Sequence, residues 1–420
     1  MPPRLLIISP FCYPPTTAEA IVTSKLVVAM KSAGWEVDVI ARTGSYGTYP
    51  VNDRSGALWS LVVESLIKDD LLREGRHRML QGQGRTVREI QTYLWICGAV
   101  RVACRLHRSR KYDVLMSRAA PQYGHLPALI VKRLTGIPWI ANWSDPMPGA
   151  KAPSPYGQGP GGQARGMWYF RSVACRADWH TFPSERLMRY VRTYLPIGDR
   201  ASVVPHIALG RPQGPQPELG KFTLCHSGGL AGRCPEALLE GVRLFISSGG
   251  SDLRLQVRLI GADCPGLSAM VEERGLQGIV HSMPAMSYQD AMREIATCSV
   301  GLVVEAPVSE GIFLPSKFVD ILQAGRPVLA VSPARGTLCD LLRAWGGGLC
   351  SDNMDPQSVH AAIAKLYGAW RDGTLDASFA SQRLAREFSE ERVLGRIEEI
   401  VDCISKSTRE RYRVWEPHRR

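Results

Sequence analysis

Short apolar runs of strand length alternate with segments of helical spacing twice along this chain, and a Pro- and Gly-rich stretch divides the two series. In the first series Leu5 to Ser9 reads as a buried strand, Ala18 to Ser32 as a helix and Val37 to Ala41 as the next strand. Strands at Tyr112 to Met116, Pro138 to Asn142, His180 to Pro183 and Ser202 to Pro205 follow, with a helix over Leu126 to Leu134. The second series has strands at Phe222 to His226, Leu255 to Ile260, Val300 to Val304 and Pro327 to Val331, and a helix over Pro235 to Ser247. A last long helix is expected from Ser381 to Ser405. Continuously apolar strands joined by helices imply parallel sheets covered on both faces. The fold class is therefore α/β, with two Rossmann-like, doubly wound domains. Residues 1–206 form the first, 207–220 a linker, 221–380 the second, and 381–420 a helix with a basic tail. Ligands of such sheets bind beyond the carboxyl ends of the strands, so a shared central cleft is expected.

The 420 residues suffice for two such cores. An apolar content of 45% with 21% charged residues is that of a globular chain, not a disordered one. The opening apolar run is too short for a signal peptide, and no stretch reaches membrane-spanning length. Eleven cysteines occur without C-x-x-C or zinc spacing. They are expected to be reduced thiols, mostly filling the core of a cytoplasmic protein. The net charge of +12 is concentrated between Arg76 and Arg133, which holds twelve Lys or Arg against Glu89 and Asp113. Such a stretch suits an anionic partner such as a membrane surface, or a solvated helix face. The segment 150–166 reads as a Gly/Pro-rich loop.

Walker A, G-x-S-x-G, H-E-x-x-H and D-x-D signatures are missing. The informative stretch runs from Glu305 to Ala330. There an apolar strand gives way to a loop carrying Glu310-Gly311 and Pro315, then to a helix with Ser316 as its expected cap. Free N–H groups at a helix start attract an anion, and Lys317 in the first turn opposes the helix dipole unless a phosphate is nearby. Asp320, one turn on, can bind a ribose diol. Each of these residues also has a plain reading: a solvated loop acid, a surface cation, a helix-face carboxylate.

Glu310-Gly311, Leu314-Pro315-Ser316-Lys317 and Ala324-Gly325-Arg326-Pro327-Val328 together resemble the donor-binding domain of GT-B glycosyltransferases, in particular the retaining family 4. His226-Ser227-Gly228-Gly229-Leu230, continued by Arg233, resembles that family's first carboxyl-domain loop, and Asp320 takes the place of its second glutamate. Pro14-Pro15, and Pro138 to Pro146 with Asp145 as its acid, resemble parts of the amino domain. Thr16-Thr17 replaces the usual Gly-Gly, and no histidine occurs near Ser144.

The resemblance implies a GT-B glycosyltransferase with the terminal helix crossing back to the amino domain. It would move a sugar from a nucleotide-sugar donor to a glycan or lipid-linked acceptor in polysaccharide or surface-glycan biosynthesis. Glu310, Arg233, Lys317 and Asp145 are its catalytic candidates. Gly228, Gly229, Arg233, Gly311, Ile312, Phe313, Ser316, Lys317 and Asp320 are its donor-binding candidates. No metal, cofactor or nucleic acid is expected, and the leaving diphosphate would meet Arg233, Lys317 and the helix N-terminus at Ser316. A nucleotide-sugar epimerase or hydrolase of the same fold, or a non-catalytic partner subunit, are the alternatives.

Overall fold

The computed structural model describes residues 2–15, 17–42, 59–73, 85–119, 121–146, 163–210, 217–218, 220–233, 235–249, 254–262 and 264–415. The expected loop at 150–162 lies outside these residues, whereas 163–166 open a helix, Gln163–Arg176. Within the expected linker, 211–216 and 219 likewise fall outside.

The described residues divide into two compact units. His206–Arg392 form the second; the residues before it, together with those from Val393 onward, form the first. The terminal helix runs Glu390–Trp415 and so counts with the first unit from its fourth residue. It starts later than expected. The Phe388 carbonyl accepts the Ala208 N–H at 2.8 Å and Ser389 bridges Ala208, so a short helix, Gln382–Arg386, stands apart from the long one.

The first unit carries six parallel strands: β1 (Arg4–Ile8), β2 (Glu36–Ile40), β3 (Val114–Ala119), β4 (Trp139–Trp143), β5 (Trp179–Phe182) and β6 (Ala201–Val203). Their order is β2-β1-β3-β4-β5-β6, which reverses direction between β1 and β3. Leu5 pairs with Val37 on one side and Val114 on the other, so this apolar strand is bordered on both edges. The helix Ala18–Ser32 has the expected bounds, because Thr17 Oγ1 accepts the Ala20 N–H and Gly34 turns the chain with φ +88°. Trp143 anchors the far side against His125, Phe170 and Phe182.

The second unit carries β7 (Phe222–Ser227), β8 (Leu255–Ile260), β9 (Val280–Met283), β10 (Val300–Val304), β11 (Val328–Ser332) and β12 (Gly348–Asp352). All pair in parallel in the order β12-β11-β10-β7-β8-β9. This is the Rossmann order, with its switch point between β7 and β10. Its core joins Leu224, Val257 and Leu302 to Leu238, Val242 and Ile363 from the covering helices.

Two expectations about side chains are corrected. Cys339 and Cys350 form a disulfide, because the helix Thr337–Trp345 and β12 bring their Cα atoms to 5.3 Å; the eleven-residue separation hid that proximity. Of the other described cysteines only Cys12, Cys225 and Cys298 are buried, so core filling is the minority role. The basic stretch is also less free than its composition suggests. Arg105, Arg110, Arg118 and Lys132 meet Asp69, Asp38, Glu19 and Asp178, acids drawn from outside the stretch.

Candidate active site

At the switch point of the second unit, β7 ends and the chain turns through Gly228, whose φ of +90° favours glycine. Its N–H is taken by the Ile260 carbonyl at 2.8 Å. A side chain at Gly228 would begin 3.4 Å from Lys317 Nζ, so this glycine leaves room for the lysine. Gly229 has open space around it and bears no such constraint.

Lys317 is the second residue of the helix Ser316–Gln323. Its Nζ lies 3.0 Å from His226 Nε2. His226, wholly buried in β7, is tied through Nδ1 to the Leu302 carbonyl at 3.1 Å. Desolvation first, and the nearby Arg233 second, press the Lys317 amine well below its ordinary range, against a smaller opposing pull from Asp320. The same burial, with the Lys317 and Arg233 charges, holds the His226 ring neutral. Arg233 reaches the end of β10, its Nη1 donating to the Val304 carbonyl at 3.3 Å.

Ser316 does not cap its helix. It is the first helical residue, and Pro315 occupies the cap position with no acceptor to offer. The amide groups of this first turn thus have no side-chain cap, which suits an anion. Ile312 is buried and Phe313 half-buried in the approach to this turn. Asp320 is buried on the helix, and its Oδ1 accepts the Tyr288 hydroxyl at 2.9 Å.

Glu310 is exposed. Gly311 beside it is held from both sides: its N–H donates to the Arg335 carbonyl at 2.9 Å, and its carbonyl accepts from the Thr337 N–H at 2.8 Å. Beneath it lies a residue that sequence reasoning passed over. Glu305, directly after β10, is 6% exposed, and its Oε2 would stand 3.3 Å from a Cβ at Gly311. Ser332 Oγ donates to that oxygen at 2.5 Å. Burial pushes the Glu305 carboxyl up to about 7, against lowering by Ser332 and by the charge of Arg233. The signal was present: an acid placed immediately at the carboxyl end of an apolar strand, at the point where strand order reverses.

The raised Glu305 value has a testable sign. The folded state holds this proton more tightly than the unfolded chain, so its stabilising effect is full below pH 4.5 and is lost as the pH rises through about 7. Glu305→Gln is expected to flatten this slope and recover about 3 kcal/mol at pH 8, read by denaturant unfolding across pH. An unchanged slope would rule out a shifted Glu305.

Asp145 belongs to the first unit, just beyond β4. It keeps contact with solvent yet is crowded by protein, and that desolvation, with the Glu19 carboxylate adding to it, pushes its carboxyl up to about 7. Nearby, Arg118 Nη2 lies 3.4 Å from Glu19 Oε2 and 3.5 Å from Ser144 Oγ, while its buried Nε has no partner. Among the described residues no group of three or more His, Cys, Asp or Glu is arranged to hold a metal ion.

Residues 18–206 match the family described as glycosyl transferase 4-like domain. That match covers most of the first unit. Similar solved structures extend the likeness over the whole chain as a fold. A glycosyltransferase from Rickettsia africae superposes with a TM-score of 0.66 at 10% identity, over 96% of this chain and 99% of that one. The Anabaena protein HepE, in complex with UDP and glucose, gives 0.64 at 14% identity, over 95% and 99%. A Listeria monocytogenes chain described as a UDP-N-acetylglucosamine 2-epimerase gives 0.59 at 12%, over 95% and 96%. No curated protein matches this chain in sequence. The fold that the resemblance implies is borne out: a segment matching a glycosyl transferase 4-like domain is followed by a second Rossmann-like unit, as in GT-B structures. No helix among the described residues is long and apolar enough to cross a membrane.

Proposed function

We propose that this protein is a retaining glycosyltransferase that moves a sugar from a nucleotide-diphosphate sugar, bound by the second unit, to a glycan or lipid-linked acceptor bound by the first. The observation that carries the reading is the convergence of Lys317, Arg233 and an uncapped helix N-terminus around Gly228, outside the carboxyl ends of β7 and β10. Two cations and a helix dipole suit a departing diphosphate. They can balance its charge without a metal ion. The acceptor hydroxyl oxygen attacks the anomeric carbon as its bond to the diphosphate breaks, on the same face of the sugar. The leaving phosphate oxygen takes the hydroxyl proton. Glu310 orients the sugar hydroxyls, Asp320 meets the ribose, and Asp145 binds or assists the acceptor. Cytoplasmic action on a surface-glycan precursor follows from this reading, with the exposed Arg101, Arg108 and Lys111 facing anionic lipid.

A thermal-shift panel of UDP, GDP, ADP and dTDP with EDTA present tests the donor site. One nucleotide is expected to raise Tm at concentrations well above its Kd, by several degrees, with the rise abolished in Lys317→Ala and Arg233→Ala. No shift for any nucleotide would defeat the reading and favour a non-catalytic partner subunit.

A further inference from the structure

The lysine at the centre of the donor site is not poised in open solvent. It is parked on a histidine. His226 Nδ1 lies 3.1 Å from the Leu302 carbonyl, and Nε2 lies 3.0 Å from Lys317 Nζ; with the ring proton on Nδ1, donated to Leu302, Nε2 is left to accept from the lysine. The Gly228 carbonyl oxygen also faces Nε2, at 3.1 Å. The groups facing Lys317 are few and come from different elements: His226 from β7, Arg233 from the turn after it, Asp320 from the lysine's own helix, with Glu305 at the end of β10 acting on Arg233. Their balance disfavours an ammonium here. A diphosphate would reverse it, since two or more negative charges beside Nζ favour the protonated amine.

We propose that His226 is the positioning residue of the diphosphate site: its ring holds Lys317 through Nε2 until an arriving diphosphate draws the amine onto its own oxygens. This rests on the donor-site reading above and goes further, because it assigns a role to a residue with no place in the transfer chemistry and makes donor binding proton-linked. The bond that forms is N–H on Nζ, and the proton comes from solvent. Affinity for a diphosphate then falls as the pH rises between the free and the bound ionisation ranges of Lys317, since uptake becomes harder. Gly228 belongs to the same device. A side chain there would be strained by the φ of +90° and would sit in contact with Nζ, 3.4 Å away, beside the path from ring to phosphate.

The test is calorimetric titration of the full chain with inorganic pyrophosphate, which needs no choice of base, in two buffers of different ionisation enthalpy. The wild type is expected to take up a fraction of a proton per site, and Lys317→Ala none. His226→Phe, which removes the acceptor nitrogen and leaves the amine unplaced before the ligand arrives, is expected to weaken pyrophosphate about tenfold. His226→Gln, whose amide oxygen can still accept from Nζ, is expected to stay within about threefold of wild type. Zero proton uptake by the wild type, or pyrophosphate affinity unchanged in His226→Phe, would overturn the proposal while leaving the donor site standing. If His226→Phe does not fold, the proton count in wild type against Lys317→Ala decides the question alone. A wild type that binds neither pyrophosphate nor any nucleoside diphosphate would instead remove the donor-site reading itself.

Discussion

Lys317→Ala is expected to weaken nucleoside-diphosphate binding about a hundredfold and to lower turnover by about a hundred- to a thousandfold. The same substitution is expected to leave the ligand-free protein as stable as the wild type, or more so. Those opposite effects follow from one observation. The lysine amine is desolvated beside Arg233, so its charged form is disfavoured in the folded state before any ligand arrives. A site that stores unfavourable electrostatics for its ligand gains stability when the group is removed and loses function. Denaturant unfolding and nucleotide titration of the same preparation check both halves. A variant that unfolds more easily and binds normally would show that Lys317 is a structural residue.

The second large effect is expected in the first unit. Arg118→Met is expected to cost about 3 kcal/mol of stability, because it strands the Glu19 carboxylate at the sheet's carboxyl edge. The two side chains are 5% and 15% exposed and 3.4 Å apart. Their contact is long, and Arg118 Nε is unpartnered, so the net worth of the pair is small while the cost of breaking it is not. Glu19→Gln combined with Arg118→Met is therefore expected to recover most of the loss, since no buried charge is left alone. A double variant no more stable than Arg118→Met would contradict this and place the damage in packing.

The strands and their parallel pairing were legible because buried strands leave continuous apolar runs; Leu255–Ile260 and Val300–Val304 fall where the sequence puts them. The helix Ala18–Ser32 was legible from its helical spacing and from the glycine at position 34. The split at 381–389 was not, since it depends on Ala208, nearly two hundred residues away, taking the Phe388 carbonyl. The same holds for the site. Gly228, Arg233 and Lys317 carry local signals in loop and helix-start chemistry. The His226 contact with Lys317 spans 91 positions, and the Glu305 contact with Ser332 spans 27. Only the sheet order brings those partners together. Ser316 as a cap was misplaced by one residue: proline's fixed φ, here −61°, and its extended ψ of 132° make Pro315 the boundary, so the serine side chain is already inside the helix. The Cys339–Cys350 bridge escaped notice because nothing in an eleven-residue spacing says that a helix will lie against the next strand.

The central claim, sugar transfer from a nucleotide-diphosphate donor, is tested most directly by phosphorus and proton NMR of the protein with UDP-, GDP-, ADP- and dTDP-sugars, with and without a bacterial lipid and glycan extract as acceptor. The expected result is release of one nucleoside diphosphate that depends on the extract, is lost in Lys317→Ala, and yields a product keeping the donor's anomeric configuration. Donor that stays intact under every condition, or that is converted equally well with no acceptor present, would contradict it.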